Sequence, residues 1–149
     1  QDKKNRDEKK SGKKIGENFE KPRFFQNFNF MFPETKLFKR VYTIERYKKL
    51  FDKSKKILSE LKIRNVVFYH GDGLKGWPAK FLFNRIIVTA VARQLPQYLI
   101  DQLSEGGIMV LPLVNKSNQY ITKVTKIKNK VTIKKFWKVR FVPLLPGVK

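Results

Sequence analysis

Two acidic residues of this chain stand where a nucleotide-binding fold needs them. Glu45 ends the short apolar run at residues 41–44, and Asp72 lies between Gly71 and Gly73 directly after a second apolar run. Nucleotide-binding α/β folds use an acid at the end of one strand and a glycine-flanked acid at the end of the next to hold a ribose and an adenine. The spacing therefore predicts an adenosine site at the ends of two adjacent strands.

Both acids also have a plainer interpretation. Glu45 could be a surface acid at the start of the following helix, where a negative charge favours the helix dipole. Gly-Asp-Gly is common in ordinary turns, because Gly and Asp both suit turn backbones. His70, which precedes the second turn, is assigned no role.

Composition limits the remaining chemistry. The chain has 149 residues, which suits one domain with a core of its own. It has no cysteine and one histidine, so the sequence excludes a disulfide framework, a cysteine nucleophile and a multi-histidine metal site. The longest apolar run, residues 86–92, is shorter than the roughly 20 residues that span a bilayer. We expect a soluble, cytoplasmic protein with no metal and no membrane segment.

The formal net charge of +22 has two interpretations. Lys and Arg could neutralise the phosphates of a nucleic acid and release counterions. Alternatively, Lys fills solvated positions of an ordinary domain, since the lysines are scattered along helix and strand faces. Residues 1–23 are almost entirely polar and are expected to form a disordered basic tail. This tail is where we expect any nucleic-acid contact.

The segment at residues 24–40 is unusually aromatic. Phenylalanines at residues 24–32 partly alternate, which favours a strand or a plug that buries them in the core. An alternative is an aromatic surface that stacks on bases. A short helix could follow Pro33, since proline suits the first helical position.

Residues 41–149 alternate between strand and helix patterns. The helix at 46–61 has one apolar face, formed by Tyr47, Leu50, Phe51, Ser54, Leu58 and Leu61. The strand at 83–92 is apolar without alternation, which is typical of a central parallel strand. Gly106-Gly107 is expected to end the helix at 95–103 with a left-handed cap. The predicted elements are a strand at 41–45, a helix at 46–61, a strand at 66–69, a loop at 74–82, a strand at 83–92, a helix at 95–103, a strand at 108–113 and a hairpin of 120–127 with 131–137.

These elements predict the fold class. Repeated strand, helix and strand patterns give a doubly wound α/β sheet. The alternating residues at 120–127 and 131–137 add an antiparallel hairpin to an otherwise mostly parallel sheet. This combination is typical of nucleoside-dependent methyltransferases, so a Rossmann-like methyltransferase fold is expected, N-terminally incomplete.

Specific motifs carry a resemblance to a known family. From residue 40 to 147 the chain resembles the protein-L-isoaspartate O-methyltransferases. The matching segments, in order, are Val41-Tyr42-Thr43-Ile44-Glu45-Arg46, Gly71-Asp72-Gly73, Gly76-Trp77-Pro78, Arg85-Ile86-Ile87-Val88-Thr89-Ala90, Leu103-Ser104-Glu105-Gly106-Gly107 and Val139-Arg140-Phe141-Val142-Pro143-Leu144. Together, in this order and spacing, they form a specific signal over about seven tenths of the chain.

The resemblance implies a cofactor and two groups of site residues. S-adenosyl-L-methionine is the implied cofactor, with Glu45 on the ribose hydroxyls and Asp72 on the adenine amino group. The full implied cofactor-binding set is Glu45, Arg46, Gly71, Asp72 and Gly73. Thr89, Ala90 and Arg140 are implied to border the substrate, although strand termination would equally explain Thr89 and Ala90. A structural ion pair would equally explain Arg140.

The implied reaction transfers a methyl group to the free α-carboxylate of an L-isoaspartyl residue in a damaged protein, as a repair step. A carboxylate with a reference pKa of about 4 is ionised at pH 7, so no strong general base is required. Catalysis is then mainly alignment, and no catalytic residue is assigned. Isoaspartyl proteins are the implied partners, and a monomer is expected.

The chain departs from the family at its N-terminal side. The family's helical N-terminal segment and its glycine-rich cofactor loop are missing, and the sequence has no glycine between Asn18 and Gly71. In the family fold the strand before that loop lies between the 41–45 and 83–92 strands, so its loss leaves two unpaired edges. We hypothesise that residues 24–32 substitute for it. The alternative function is an inactive remnant that binds polyanions through its tail.

Overall fold

The computed structural model describes residues 38–128 and 130–149. The predicted basic tail at 1–23 and the predicted strand at 24–32 lie outside these residues. No helix in the described ranges is both long enough and apolar enough to cross a membrane. The described elements are β1 Val41–Glu45, α1 Lys48–Glu60, β2 Val66–His70, a 3₁₀ helix at Gly73–Lys75, β3 Phe83–Ile87, α2 Gln97–Asp101, β4 Leu103–Asn115, β5 Asn118–Ile127 and β6 Lys130–Val139.

The first three elements form a strand–helix–strand unit. β1 and β2 pair in parallel, with Val41 opposite Val66 and Glu45 opposite His70. A parallel pair needs a crossover, and α1 supplies it, as predicted for residues 46–61. Leu58 is the buried residue of α1, whereas the predicted inward residues Tyr47, Leu50 and Leu61 are exposed. The apolar face of α1 is therefore only partly covered by the described residues.

The other four strands form a second sheet in the order β3-β4-β5-β6. β3 and β4 are parallel, while β4, β5 and β6 are antiparallel. The predicted hairpin of 120–127 with 131–137 is confirmed as β5 and β6. A second hairpin, between β4 and β5, was not predicted. Its turn places Lys116 at a φ of 55°.

The core lies on one face of the four-stranded sheet, where α2 packs. Side chains from β4 and β5 meet those of α2 and the segment before it, and Leu103, Met109, Leu111 and Val124 are fully inaccessible to solvent. Burial of one such side chain stabilises a fold by about 1.5–3 kcal/mol. The buried cluster comprises Ala92, Leu99, Ile100, Leu103, Met109, Leu111 and Val124.

The predicted helix at 95–103 is shorter than expected. α2 covers only Gln97–Asp101, because Leu103 already pairs with Phe83 in the β3–β4 ladder. Tertiary pairing thus overrides the helical periodicity. Gly106 has the expected positive φ of 69°, but it lies within β4 and does not cap α2. It falls in the irregular stretch of β4, where the register with β3 shifts.

The predicted strand at 83–92 is also divided. β3 ends at Ile87, and Val91 and Ala92 form isolated bridges with Pro143 and Leu113. Among the described strands β3 pairs with β4 alone, so the expected central strand is an edge strand in this part of the chain.

Aromatic rings join the two sheets. The Tyr42 ring of β1 lies 4.9 Å from Trp77, 5.1 Å from Phe81 and 5.4 Å from Phe83, measured between ring centroids. No described strand pairs with the second edge of β1 or with the second edge of β3. The gap expected from the missing family strand is therefore present between β1 and β3 in the described residues.

Candidate functional site

The predicted adenosine residues lie together where β1 and β2 end. Glu45 is opposite His70 in the parallel register, and the Gly71 amide donates to the Glu45 carbonyl at 3.1 Å. Arg46 and Asp72 each follow directly. The carboxyl ends of the two parallel strands thus meet at one edge, as the sequence predicted.

Glu45 has one carboxylate oxygen committed to its own chain. The Tyr47 amide donates to its Oε1 at 2.8 Å, at the N-terminus of α1. This is the helix-start role that was the plainer interpretation. The second oxygen of Glu45 accepts no hydrogen bond from the described residues, and the side chain is half-buried. Glu45 can therefore support α1 and still accept a hydrogen bond from a ligand.

Asp72 is buried, with 6% of its surface exposed. Its Oδ1 accepts from the Leu74 amide at 2.9 Å and caps the 3₁₀ helix. Its Oδ2 accepts from the Gly147 amide at 2.8 Å. Both oxygens of Asp72 are thus satisfied within the chain.

The two glycines beside Asp72 face different surroundings. A side-chain carbon added at Gly71 would collide with the Tyr69 ring, so packing requires glycine there. A carbon added at Gly73 would meet nothing within 4 Å. Gly73 therefore leaves open space next to Asp72, which a ligand could fill.

Arg46 contacts the segment at residues 146–149. Its Nε donates to the Gly147 carbonyl at 3.0 Å, and its Nη2 donates to the Pro146 carbonyl at 2.8 Å. The His70 Nε2 lies 3.2 Å from the Arg46 carbonyl and 3.3 Å from the Lys149 carbonyl. His70 thus belongs to the same group of residues.

Thr89 and Ala90 follow β3 at the same edge of the fold. Thr89 is exposed and Ala90 is half-buried. The backbone on either side is fixed, because the Val88 amide donates to the Val110 carbonyl and the Val91 amide donates to the Val142 carbonyl. The pair is therefore held in place, and the Thr89 side chain is exposed where a substrate could reach it.

The segment after β6 connects the two groups of residues. The Leu144 amide donates to the Val91 carbonyl at 2.9 Å, and the Gly147 amide reaches Asp72. Three residues of extended chain span at most about 11 Å. With the hydrogen bonds at both ends included, the Val91 carbonyl and the Asp72 carboxylate are therefore at most about 17 Å apart.

Arg140 directly follows β6 and stands two residues before Val142, whose carbonyl accepts from the Val91 amide at 2.8 Å. Arg140 is exposed, and within the described residues it forms no ion pair. The neighbouring Phe141 is held by Gln119, whose Oε1 accepts from the Phe141 amide at 2.6 Å. The structural ion pair considered for Arg140 is thus not seen in this part of the chain.

Sequence reasoning missed two participants at the site. His70 was assigned no role, and residues 146–149 were not expected at the ends of β1 and β2. A Pro-Gly pair signals a turn, but nothing local indicates which part of the fold the turn contacts. Across the described ranges, no group of three or more His, Cys, Asp or Glu could hold a metal ion.

The sequence model of the protein-L-isoaspartate(D-aspartate) O-methyltransferase family matches residues 30–149. The protein-L-isoaspartate O-methyltransferase of Parvibaculum lavamentivorans is 44% identical over 117 residues, which are 76% of this chain and 53% of that protein. The enzyme of the same name from Pseudomonas syringae is 46% identical over 113 residues, 76% of this chain and 54% of that protein. The chain thus spans about half the length of the curated relatives it matches.

Two solved structures are similar to this fold. One, from Plasmodium falciparum, is described as a protein-L-isoaspartate O-methyltransferase in complex with S-adenosyl-L-homocysteine. It has a TM-score of 0.63 at 29% identity and covers 71% of this chain and 52% of its own. Another protein-L-isoaspartate O-methyltransferase has a TM-score of 0.65 at 27% identity, over 70% of this chain and 33% of its own. The predicted α/β, Rossmann-like methyltransferase fold is confirmed.

Proposed function

Because this chain belongs to the protein-L-isoaspartate(D-aspartate) O-methyltransferase family, we propose that it carries the adenosine end and the substrate end of an S-adenosyl-L-methionine site. The proposed activity is methyl transfer to the free α-carboxylate of L-isoaspartyl residues in damaged proteins. The observation that supports this proposal most directly is that β1 and β2 end side by side, at Glu45 and just before Asp72. There the Gly71 amide donates to the Glu45 carbonyl.

The residues at this edge suit the adenosine part of the cofactor. Glu45 has a carboxylate oxygen available for a ribose hydroxyl, while Gly73 leaves open space for an adenine. In this proposal Gly71, Arg46 and Asp72 complete the binding set. A similar structure that was solved with S-adenosyl-L-homocysteine supports the choice of ligand.

The methionine part of the cofactor has no comparable support in this sequence. The family's glycine-rich loop is missing, since no glycine lies between Gly16 and Gly71. The gap between β1 and β3 is where the strand before that loop would lie. We propose that residues 24–32 fill the gap as a substitute strand, with residues 1–23 as a separate basic tail.

The proposed chemistry makes modest demands on the chain. When bound, S-adenosyl-L-methionine supplies an electrophilic methyl group. The substrate carboxylate is ionised at pH 7, so the chain needs no general base. The task left to Thr89 and Ala90 is to hold the peptide in one orientation, using an exposed hydroxyl and a backbone fixed on both sides. Arg140 is exposed, and Val142, two residues later, accepts from the amide of Val91 beside Ala90, so Arg140 is proposed to attract the substrate carboxylate.

A second candidate function is polyanion binding by an inactive relative. The net charge of +22 favours it. In addition, the edge strand β6 exposes Phe136 and Trp137 between lysines, and such aromatic and basic surfaces stack on single-stranded nucleic acid. Lysines on an edge strand also prevent aggregation, which is the plainer explanation. Binding of single-stranded RNA that weakens steeply as salt rises would favour this candidate.

The proposed activity is tested with two synthetic peptides that differ only in one L-isoaspartyl or L-aspartyl residue. We expect labelled methyl groups from S-adenosyl-L-methionine on the isoaspartyl peptide alone. Labelling of neither peptide by a chain that binds the cofactor would contradict catalysis and leave binding as the function. A cytoplasmic location and a monomeric state remain part of the proposal, the latter tested by sedimentation.

A further inference from the structure

Residues 146–149, here named the strap, lie across the ends of β1 and β2. Arg46 holds the strap through the carbonyls of Pro146 and Gly147, at 2.8 and 3.0 Å. The Lys149 amide donates to the Arg46 carbonyl at 2.7 Å, and the Lys48 amide donates to the Lys149 carbonyl at 2.7 Å. These contacts fix the strap on the same residues that the adenosine site requires.

The strap also occupies the Asp72 carboxylate of that site. The Gly147 amide donates a hydrogen bond to the Oδ2 of Asp72 at 2.8 Å, and the Leu74 amide donates one to its Oδ1. Asp72 has 6% of its surface exposed, and each of its carboxylate oxygens already accepts a backbone amide. An amino group of a ligand that bonds Oδ2 of Asp72 would therefore replace the Gly147 amide.

Polar contacts, and not apolar burial, hold the strap. All its residues are exposed, and Val148 has 51% of its surface in solvent. Backbone hydrogen bonds that water can replace make small net contributions to stability. A segment held in this way can leave its site without disturbing the core.

The chain before the strap is fixed independently. The Leu144 amide bonds the Val91 carbonyl, and the Leu144 side chain packs against the core cluster. Movement of the strap thus needs changes only at Leu145 and beyond. Gly147 has a φ of +80°, a conformation that an L side chain rarely adopts. The docked form of the strap consequently depends on a glycine at this position.

We propose that the strap is an autoinhibitory segment that closes the adenosine end of the site and leaves when the cofactor binds. The inference rests on the proposed function, because it takes Glu45 and Asp72 as the adenosine site. If the strap must leave before the cofactor binds, the apparent affinity for the cofactor is the intrinsic affinity multiplied by the fraction of molecules whose strap is undocked. By linkage, the cofactor must also weaken docking of the strap.

The test compares four proteins by calorimetric titration with S-adenosyl-L-homocysteine. These are the unchanged chain, a chain that ends at Leu145, Gly147→Ala and Gly106→Ala. Gly147→Ala strains the docked strap but leaves Glu45, Arg46 and Asp72 intact. Gly106→Ala is the matched control, because Gly106 also has a positive φ and open space around it but lies within β4.

We expect the shortened chain to bind about 10-fold more tightly, and Gly147→Ala about 5-fold more tightly, than the unchanged chain. Gly106→Ala should bind like the unchanged chain. Hydrogen exchange supplies a second readout, since the amide of Gly147 should exchange faster once ligand is added. Equal affinity of all four proteins, or unchanged exchange at Gly147 on binding, would overturn the strap alone. If none of the four proteins binds S-adenosyl-L-homocysteine, the proposed function is overturned, and the autoinhibitory role of the strap is overturned with it.

Discussion

At the scale of single residues, Glu45 has the helix-start role that the sequence offered as one alternative, and it leaves an oxygen for the other, the proposed ribose contact. One oxygen of its carboxylate supports the start of α1 through the Tyr47 amide, and the other is available to a ligand. Asp72 differs, since the chain itself satisfies both of its oxygens. Glu45 is therefore the cleaner position at which to test the adenosine site.

We expect Glu45→Gln to weaken binding of S-adenosyl-L-homocysteine by about 10- to 100-fold, because a hydrogen bond to a charged group contributes about 1.5–3 kcal/mol. The amide oxygen of glutamine can still accept from Tyr47, so the fold should persist. Glu105→Gln is the control, since Glu105 also accepts one backbone hydrogen bond, from Lys128 at 2.7 Å. Calorimetry measures both, and equal affinities of the two variants would contradict a ribose role for Glu45.

The two glycines around Asp72 make a second pair of matched positions. We expect Gly71→Ala to lower the free energy of unfolding by about 1–3 kcal/mol, because the new methyl group overpacks against the Tyr69 ring. Gly73→Ala should change it by less than about 0.5 kcal/mol, since its surroundings are open. Urea denaturation compares the two. A larger loss at Gly73 would show that the Tyr69 contact does not decide the requirement for glycine.

At the scale of elements, the notable feature is the gap between β1 and β3. Aromatic side chains bridge it through Tyr42, but no described strand pairs with either edge. Unpaired internal edges expose backbone donors and acceptors that favour aggregation. The proposed substitute strand at residues 24–32 would cover both edges.

Shortened chains test that substitute strand. We expect removal of residues 1–32 to lower the free energy of unfolding by about 2 kcal/mol or more, because the proposed strand would supply edge pairing and phenylalanines whose burial is worth about 1.5–3 kcal/mol each. Removal of residues 1–23 is the control and should have little effect. Denaturant unfolding measures both chains. Equal stability of the two would place residues 24–32 outside the sheet.

Local patterns predicted the elements that depend on neighbours in sequence. Alternation predicted the hairpin of β5 and β6, and helical spacing predicted α1 within two residues at its start. The shortened α2 could not be predicted, because pairing of Leu103 with Phe83 competes with the helix. Similarly, the rule that parallel strands end together predicted the meeting of Glu45 and Asp72. The contact of Arg46 with Gly147 spans 101 residues, and no local pattern indicates it.

At the scale of the whole molecule, the chain brings the proposed adenosine residues and the proposed substrate pair to one edge of an α/β fold. The segment from Leu144 to Gly147 connects them and limits their separation. The chain spans about half the length of its curated relatives. The residues proposed to bind adenosine lie within this half. We therefore expect the chain to bind the cofactor even if it does not catalyse methyl transfer.

Calorimetric titration of the whole chain with S-adenosyl-L-homocysteine tests that expectation most directly. We predict one binding site per chain with a Kd on the order of micromolar, about −8 kcal/mol. The ligand should protect the amides at the ends of β1 and β2 from hydrogen exchange. A titration that shows no heat of binding at millimolar ligand, from a chain that remains folded, would contradict the adenosine site formed by Glu45 and Asp72.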